Sequence, residues 1–381
     1  MIRLSHLRND ERGASLLYIT VGFMAFFAAT ALAIDVGMLM TARGQAQTAA
    51  DAGALSGAVA LALDDFDDRS ATGPAVLSAM NTALENAVLK GTASVEPEDV
   101  TFPLAPSGEA NRVRVEVFRT AERNNPLSTF IMSVFGMSSA DISARATAHA
   151  ARANAISCVR PFTIPDRWTE NNIPPNDTFD RYDNFGNVIP NADEYVPGAN
   201  SYDMFGADKG TLLVLRAGTG NNIEPTFYQS WNMPGNEQGV IGADWYEQNI
   251  RACNQAVFNY EAEMIQEPGN IVGPTVSGVE DLIAQDPTAY WDDDTDSVKS
   301  PLGRSPRIFP IPLYDPDYYQ SGKVNGRNAT LRMMGWIGFF VEGLNGNEVY
   351  GRICPILGTI DPDAGPAPEG ASVPLAVQLV E

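Results

Sequence analysis

The chain offers few residues for acid–base or nucleophilic catalysis. Among its 381 residues only two are histidine, His6 and His149, and neither lies in a motif with a nearby nucleophile. No zinc-protease, phosphate-loop, nucleophile-elbow or dinucleotide-binding signature is present. A solitary histidine at a strand end is usually solvated or simply hydrogen-bonded. We therefore expect the protein not to be an enzyme, and an exported hydrolase with paired carboxylates is the weakest alternative.

Clustered carboxylates suggest a second kind of chemistry, the binding of calcium through oxygen ligands. Segments 64–68, 176–187 and 291–296 are rich in Asp or Asn. Closely spaced oxygen ligands with a glycine are typical of calcium loops, but none of the three segments follows the EF-hand order. Ordinary turns use the same residue types. We expect no metal site and no cofactor, and calcium remains a speculative alternative.

Three cysteines, Cys158, Cys253 and Cys354, all lie in the part of the chain after residue 154. None forms a CxxC pair, so redox catalysis and zinc binding both lack support. In an oxidising compartment three cysteines give one disulfide and one free thiol. A bridge between Cys158 and Cys253 is our first choice, although three pairings are possible.

An N-terminal helix must position everything that follows. Residues 14–34 carry no charge and form a span long enough to cross a bilayer, which takes roughly 20 apolar residues. Signal peptides have shorter apolar cores of about 7–15 residues, so we expect a retained anchor rather than a cleaved leader. Arg3, Arg8 and Arg12 precede the span and favour a cytoplasmic N-terminus. The bulk of the chain would then be periplasmic, tethered to a bacterial inner membrane by a single pass.

The charge balance excludes one class of partner. The chain has 25 Lys and Arg against 47 Asp and Glu, a formal net charge of −22. Such a surface repels phosphate backbones, and no basic stripe with interleaved aromatic residues interrupts it. We expect no nucleic-acid binding, and the acidity serves solubility.

Small residues recur at helical spacing after the span, and they predict that the helix continues to about residue 64 as a stalk. Rows of Gly and Ala let helix backbones approach closely. Alanine is also the best helix former, which is the plainer explanation, but each glycine costs a helix about 1 kcal/mol and therefore calls for a packing reason. The candidate packing face, for a partner helix or a second copy of the chain, consists of Gly37, Ala46, Ala50, Gly53, Ala54, Gly57 and Ala58.

The remaining sequence predicts an α+β protein. A small α+β unit should contain a helix over 73–92, a strand over 112–118, an apolar helix over 127–135 and a strand over 142–149. A mainly β exported domain should follow, with a hairpin at Asn345-Gly346 and helices beginning near Asp244 and at Ser277. Its expected strands are 212–216, 308–313, 329–342, 349–360 and 373–380. The domain limits are 1–13 for the cytoplasmic stub, 14–34 for the transmembrane helix, 35–64 for the stalk, 65–153 for the small unit and 154–381 for the exported domain.

The segment from Arg12 to Ala60 resembles TadG-like proteins of the Flp (tight-adherence) pilus-assembly system. The resemblance is carried by an apolar anchor followed by an Asp-Val-Gly, glutamines and an Ala-Ala-Asp-Ala-Gly-Ala-Leu-Ser-Gly-Ala run. These matching positions are Ala33-Ile-Asp35-Val-Gly37, Arg43, Gln45, Gln47 and Ala49 to Ala58. Residues 129–148 are similar to the same family. Segments 158–168, 267–275, 281–287 and 305–307 are similar to the exported region of some of its members.

The resemblance implies an inner-membrane-anchored accessory protein of pilus assembly that acts through helix packing and protein–protein contacts. Its partners would be other pilus-assembly membrane proteins or a second copy of itself. Pilins of this system carry Glu five residues after the processing glycine, where this chain has Tyr18, so incorporation as a pilin is not supported. The von Willebrand-type metal motif of some members is incomplete at Asp141-Ile-Ser143-Ala-Arg145. The alternative function is an exported ligand-binding or adhesion module, with calcium as a candidate ligand.

Overall fold

A computed structural model of the chain describes residues 12–65, 67–217, 222–235, 242–267, 271–324 and 330–380. Most of the expected cytoplasmic stub, residues 1–11, lies outside these ranges. The chain divides into two compact units. Unit 1 contains residues up to Ala58, Asp68–His149 and the chain end from Gln378, and unit 2 contains Val59–Asp67 and Ala150–Val377.

The described residues form α-helices, β-strands and two short 3-10 helices, Pro97–Asp99 and Met132–Phe135. The α-helices are α1 (Arg12–Leu63), α2 (Pro74–Glu85), α3 (Ala243–Arg251), α4 (Val272–Ala284) and α5 (Pro316–Val324). The first strands are β1 (Ala87–Val88), β2 (Gly91–Thr92), β3 (Val100–Thr101), β4 (Arg112–Arg119), β5 (Leu127–Ser128), β6 (Ser139–Ala140), β7 (Ile142–Arg152), β8 (Ala155–Ile156) and β9 (Phe162–Pro165). The others are β10 (Leu212–Ala217), β11 (Phe227–Ser230), β12 (Phe258–Asn259), β13 (Glu263–Ile265), β14 (Tyr290–Asp292), β15 (Ser297–Lys299), β16 (Ile308–Tyr314), β17 (Thr330–Asn345), β18 (Glu348–Cys354) and β19 (Leu375–Leu379).

Helix α1 runs without a break for 52 residues. No proline interrupts it, and its second half is rich in alanine, the residue with the highest helix propensity. The helix ends at Leu63, where Asp64 and Asp65 begin the acidic run. Carboxylates at a helix C-terminus oppose the macrodipole. The expected continuation of the apolar span into a stalk helix is confirmed.

Unit 1 packs two helices on one face of an antiparallel sheet. Strands β4 and β7 pair from Arg112↔His149 to Arg119↔Ile142, and β3 extends the sheet beside β4. Every second residue of β4 is buried, as expected for a strand with one covered face. The buried row of α2, with Ala75, Ala79 and Ala83 at intervals of four, is fully enclosed. The unit therefore has a core of small and β-branched side chains.

Two predicted helices of unit 1 were wrong in extent. The helix expected over 73–92 ends at Glu85, because Leu89 and Lys90 adopt positive φ values of 47° and 62° and turn the chain into a hairpin. The apolar helix expected over 127–135 shrinks to one 3-10 turn, while Leu127 and Ser128 pair with β6. This segment is rich in residues of low helix propensity, and tertiary contacts, described below, fix its conformation.

Unit 2 is built around a closed sheet. Strands follow the order β17-β16-β9-β11-β10-β18, and β18 pairs again with β17, which closes a ring of six; β13 adds to the outer part of β17. Closure is possible because β17 is 16 residues long and its residues 338–340 pair with both β16 and β18. The interior is aromatic and aliphatic, and it includes the fully buried side chains of Phe162, Phe309, Trp336 and Phe339. The mainly β character expected for this region is confirmed.

The details of unit 2 differ from the sequence predictions in several places. The hairpin at Asn345-Gly346 is confirmed, with Asn345 paired to Glu348 and Gly346 at φ 61°. Helix α4 begins at Val272 rather than at Ser277, and the Ser277 hydroxyl donates to Glu247 of α3 instead of capping a helix. Strand β9, strand β11 and helix α5 were not predicted, because four-residue strands of mixed polarity and a short helix that begins at a proline carry little periodicity.

Candidate interaction site on the N-terminal helix

The first part of α1 exposes apolar side chains all around the helix. Every residue from Ser15 to Phe27 is exposed, including Leu16 and Phe26 at 68% each. A helix that is apolar on all sides belongs in a protein core or in a membrane. Among the described residues no core covers this one, and it is long and apolar enough to cross a bilayer.

Burial on α1 begins at Asp35, which is fully enclosed within unit 1. Its carboxylate accepts hydrogen bonds from three consecutive backbone N–H groups, those of Phe130 at 2.9 Å, Ile131 at 3.0 Å and Met132 at 2.6 Å. These groups open the 3-10 turn that ends at Gly136, so Asp35 caps that turn from a distant helix. The bond from Met132 lowers the pKa of the Asp35 carboxyl; desolvation opposes this effect and the bonds from Phe130 and Ile131 add to it.

Replacing Asp35 should loosen the loop that it caps. In Asp35→Ala we expect amide exchange at 130–132 to accelerate by about tenfold or more, since three donors lose one charged acceptor. Because the folded-state pKa is lowered, this contribution is present above the unfolded pKa and is lost as pH falls through the folded value. Hydrogen exchange of the full chain in micelles measures both effects. Asp51→Asn is the matched control, because Asp51 accepts from Gln47 on the same helix; equal acceleration in both variants would contradict the capping role.

Two glutamines make further contacts between α1 and the rest of unit 1. The Gln45 Oε1 atom accepts a hydrogen bond of 2.8 Å from the N–H of Leu89, in the strained turn between β1 and β2. The Gln47 Nε2 atom donates to the carbonyl of Arg145 in β7 at 3.0 Å. Asp35, Gln45 and Gln47 therefore join the stalk to three different segments of the unit.

The predicted small-residue face is close-packed over its second half. Ala46, Ala50, Ala54 and Ala58 are all at most 1% exposed. A Cβ atom added to Gly57 would lie 2.9 Å from both the Ala79 Cβ and the Val113 Cγ1.

The neighbours of these glycines belong to α2 and β4 of the same chain. A Cβ added to Gly53 would lie 2.9 Å from the Ala79 carbonyl oxygen and 3.4 Å from Val115. At Gly37 and Gly44 an added Cβ would meet nothing within 4 Å among the described residues. The predicted face is thus covered by the same chain around Gly53 and Gly57. The stalk also has an open part around Gly37, a member of that face, and Gly44, which lies one heptad further along the helix.

Sequence reasoning missed the roles of Asp35, Gln45 and Gln47. The available signal was their polarity: they lie on a helix that otherwise offers small and apolar residues to its neighbours. A buried polar side chain needs a partner, and a helix already satisfies its own backbone groups. Polar positions in such a stretch therefore indicate hydrogen bonds to another segment.

The other sequence candidates are scattered. The His149 Nε2 atom lies 2.9 Å from the amide nitrogen of Gln378, and burial lowers the pKa of the imidazole. Within the described residues no group of three or more His, Cys, Asp or Glu side chains could hold a metal ion. In the 176–187 segment Asp183 accepts from the N–H groups of Phe185 and Asn187, which makes it a turn residue.

The cysteines of unit 2 are paired as Cys158–Cys253, across a sequence separation of 95. Cys354 is free and buried, and burial raises the pKa of its thiol to about 12. The thiol is therefore protonated at physiological pH and unsuited to nucleophilic attack.

One carboxyl group of unit 2 is strongly perturbed. Asp166 borders a cleft of about 210 Å³ that is also lined by Arg167, Trp168 and Tyr202. It accepts hydrogen bonds from the Ser201 hydroxyl at 2.7 Å and the Tyr195 hydroxyl at 3.1 Å. Burial is the largest influence on it and raises the pKa of Asp166 to about 6.

The raised pKa predicts a pH-dependent stability of unit 2. Since an unfolded Asp titrates near 3.9, wild-type protein should lose about 3 kcal/mol of unfolding free energy as the pH rises from about 4 to 7. Asp166→Asn keeps an acceptor and removes the charge, so its stability should change less than that of wild type over that range. Denaturant titration followed by tryptophan fluorescence reports this unit, because all five tryptophans lie in it. The exposed Asp363→Asn is the control and should keep the wild-type profile; a flat wild-type profile would refute the prediction.

Comparison with known proteins gives one match. Residues 13–60 match the model of the family described as putative Flp pilus-assembly TadE/G-like. No curated protein and no solved structure matches the chain. The matched segment contains the apolar span, Asp35, Gln45, Gln47, Gly53 and Gly57, so it covers both the membrane-length helix and its contacts with unit 1. The resemblance stated from the sequence is confirmed for this segment, and it supports a part in Flp pilus assembly.

Proposed function

We propose that this protein is an accessory component of Flp pilus assembly, anchored in the inner membrane by residues 14–34 with its N-terminus in the cytoplasm. Its folded units would lie in the periplasm and act through protein–protein contacts rather than catalysis. The observation that carries the proposal is the change along α1. The helix is apolar and uncovered from Ser15 to Phe27, and from Asp35 onward it is hydrogen-bonded and packed into unit 1.

The disulfide agrees with an exported location, because such bonds persist in oxidising compartments such as the periplasm. The net charge of −22 agrees with a soluble exported body. Contacts with partner helices are assigned to the open part of the stalk, at Gly37 and Gly44, since Gly53 and Gly57 already contact α2 and β4. A second copy of the chain or another pilus-assembly membrane protein could occupy this open part.

The test has two parts. Deleting the gene from its host should abolish or sharply reduce Flp pili, and the full-length chain should restore them. A chain with Phe23→Glu and Phe26→Glu, two exposed residues of the span, should leave the membrane fraction and fail to restore pili. Normal piliation in the deletion strain would overturn the proposed role. Protease digestion of the folded units in spheroplasts, whose outer membrane is opened and inner membrane intact, would support the periplasmic orientation.

Contacts of the open part can be tested by photo-crosslinking. A crosslinking amino acid at Gly44 should capture a partner or a second copy in membranes, whereas one at Asp363, exposed in unit 2, serves as the control. The absence of an adduct at Gly44 would overturn the assignment of partner contacts to the open part of the stalk. The deletion test of pilus assembly would be unaffected by that outcome.

A further inference from the structure

The loop between β5 and β6, residues 129–138, presents an apolar surface without charge. Phe130 is 77% exposed and Met137 is 51% exposed. No Asp, Glu, Lys or Arg occurs from Asn124 to Ala140, although 19% of the whole chain is charged. A large aromatic side chain exposed to this extent, beside a second apolar one, indicates a surface that is covered in the working protein.

The Asp35 hydrogen bonds fix where this loop lies along α1. Asp35 directly follows the apolar span, and helix side chains lean toward the N-terminus, so its carboxylate lies over the last turn of that span. The amide nitrogens of Phe130 and Met132 are 2.9 Å and 2.6 Å from the carboxylate. The backbone of the loop therefore lies level with the end of the span.

The loop is held rigidly at this level. Its turn is closed at Gly136, whose φ of 90° suits glycine and whose N–H bonds back to Met132. The Thr129 hydroxyl donates to the carbonyl of Met137, which ties the two ends of the loop together. Strands β5 and β6, which flank the loop in sequence, pair at Leu127↔Ala140 and Ser128↔Ser139.

We propose that the 129–138 loop is a second membrane contact, in which Phe130 and Met137 enter the boundary between headgroups and acyl chains beside the end of the span. This inference rests on the proposed anchoring of residues 14–34. The occupant is lipid because the exposed apolar side chains sit on a loop held at the end of an apolar span of membrane length. The absence of charge lets the loop approach anionic headgroups that repel the rest of this acidic chain. Two contacts, one spanning and one interfacial, would fix the tilt of unit 1 on the membrane.

The test measures depth with nitroxide labels on the full chain in vesicles of phosphatidylethanolamine and phosphatidylglycerol. Single labels are placed through Phe130→Cys, Val21→Cys in the span and Ser107→Cys in an exposed turn of unit 1. Cys354→Ala serves as the background, and the other two cysteines are disulfide-bonded. Met137→Cys provides a second position on the loop. The readout is the ratio of collision rates with oxygen and with a water-soluble nickel complex.

We expect the ratio at Phe130 and Met137 to exceed that at Ser107 severalfold and to stay below that at Val21. Ratios at both loop positions equal to that at Ser107, with Val21 deep in the bilayer, would overturn the loop contact and leave the anchor intact. A water-exposed label at Val21 would overturn the anchor itself, and the loop contact with it. The two failures are thus distinguishable in one set of samples.

Discussion

Gly57→Ala should destabilise unit 1 by about 2 kcal/mol, although alanine favours a helix. The propensity gain is about 1 kcal/mol. Against it, the new methyl group would stand 2.9 Å from Ala79 and Val113 and 3.1 Å from the Ala75 carbonyl oxygen. Overpacking of a close-packed core typically costs 1–3 kcal/mol or more when backbone must move. We expect amide exchange along β4 to accelerate about thirtyfold in the full chain.

Gly44→Ala is the matched control for this prediction. Gly44 lies on the same helix, and an added Cβ would meet nothing within 4 Å among the described residues. The same substitution there should stabilise the helix by up to about 1 kcal/mol or leave it unchanged. Stability changes of opposite sign for Gly57→Ala and Gly44→Ala would therefore indicate that Gly57 is close-packed within the chain. If Gly57→Ala were neutral, the covered part of the face would not be close-packed.

Removing the disulfide should have the largest effect on unit 2. Cys158 and Cys253 close a loop with a sequence separation of 95, and the chain-entropy model assigns a loop of this size about 4–5 kcal/mol. The double variant Cys158→Ala/Cys253→Ala should lose roughly that free energy of unfolding. Tryptophan fluorescence during denaturant titration measures it.

Two controls accompany the disulfide experiment. Reductant should lower wild-type stability to the level of the double variant and should not change the variant. Cys354→Ala removes a buried thiol without altering the bridge and should cost only about 1 kcal/mol. If reductant did not change the unfolding free energy of the wild-type protein, the contribution assigned to the disulfide would be wrong.

The sequence predicted best where one physical constraint dominates. The uncharged stretch 14–34 and the alanine-rich stretch after it can hardly form anything but a helix, and α1 is continuous across both. Clean alternation predicted β4, and the Asn345-Gly346 pair predicted the tight hairpin between β17 and β18. In each case the local pattern and the final environment agree.

Prediction failed where distant residues decide the local structure. We expected an apolar helix over 127–135, yet the Asp35 carboxylate, more than 90 residues away, holds three N–H groups of this segment at the start of a 3-10 turn. Closure of the sheet in unit 2 depends on β17 pairing with both β16 and β18, a property of length and register that no local motif encodes. Composition indicated a packing face on α1, but it could not tell that Gly53 and Gly57 contact α2 and β4 of the same chain.

The disulfide also determines how the chain would carry a mechanical load. Tension between the membrane end and the chain terminus would pass across the sulfur bridge and bypass the 95-residue interval from Cys158 to Cys253. That interval includes β9, β10 and β11, half of the closed sheet. An extended chain spans at most about 3.3–3.6 Å per residue. The fully stretched oxidised protein would therefore be roughly 300 Å shorter from end to end than the fully stretched reduced protein. The segment with these three strands would therefore bear no tension, because the disulfide carries the load, while the remainder of the chain was extended.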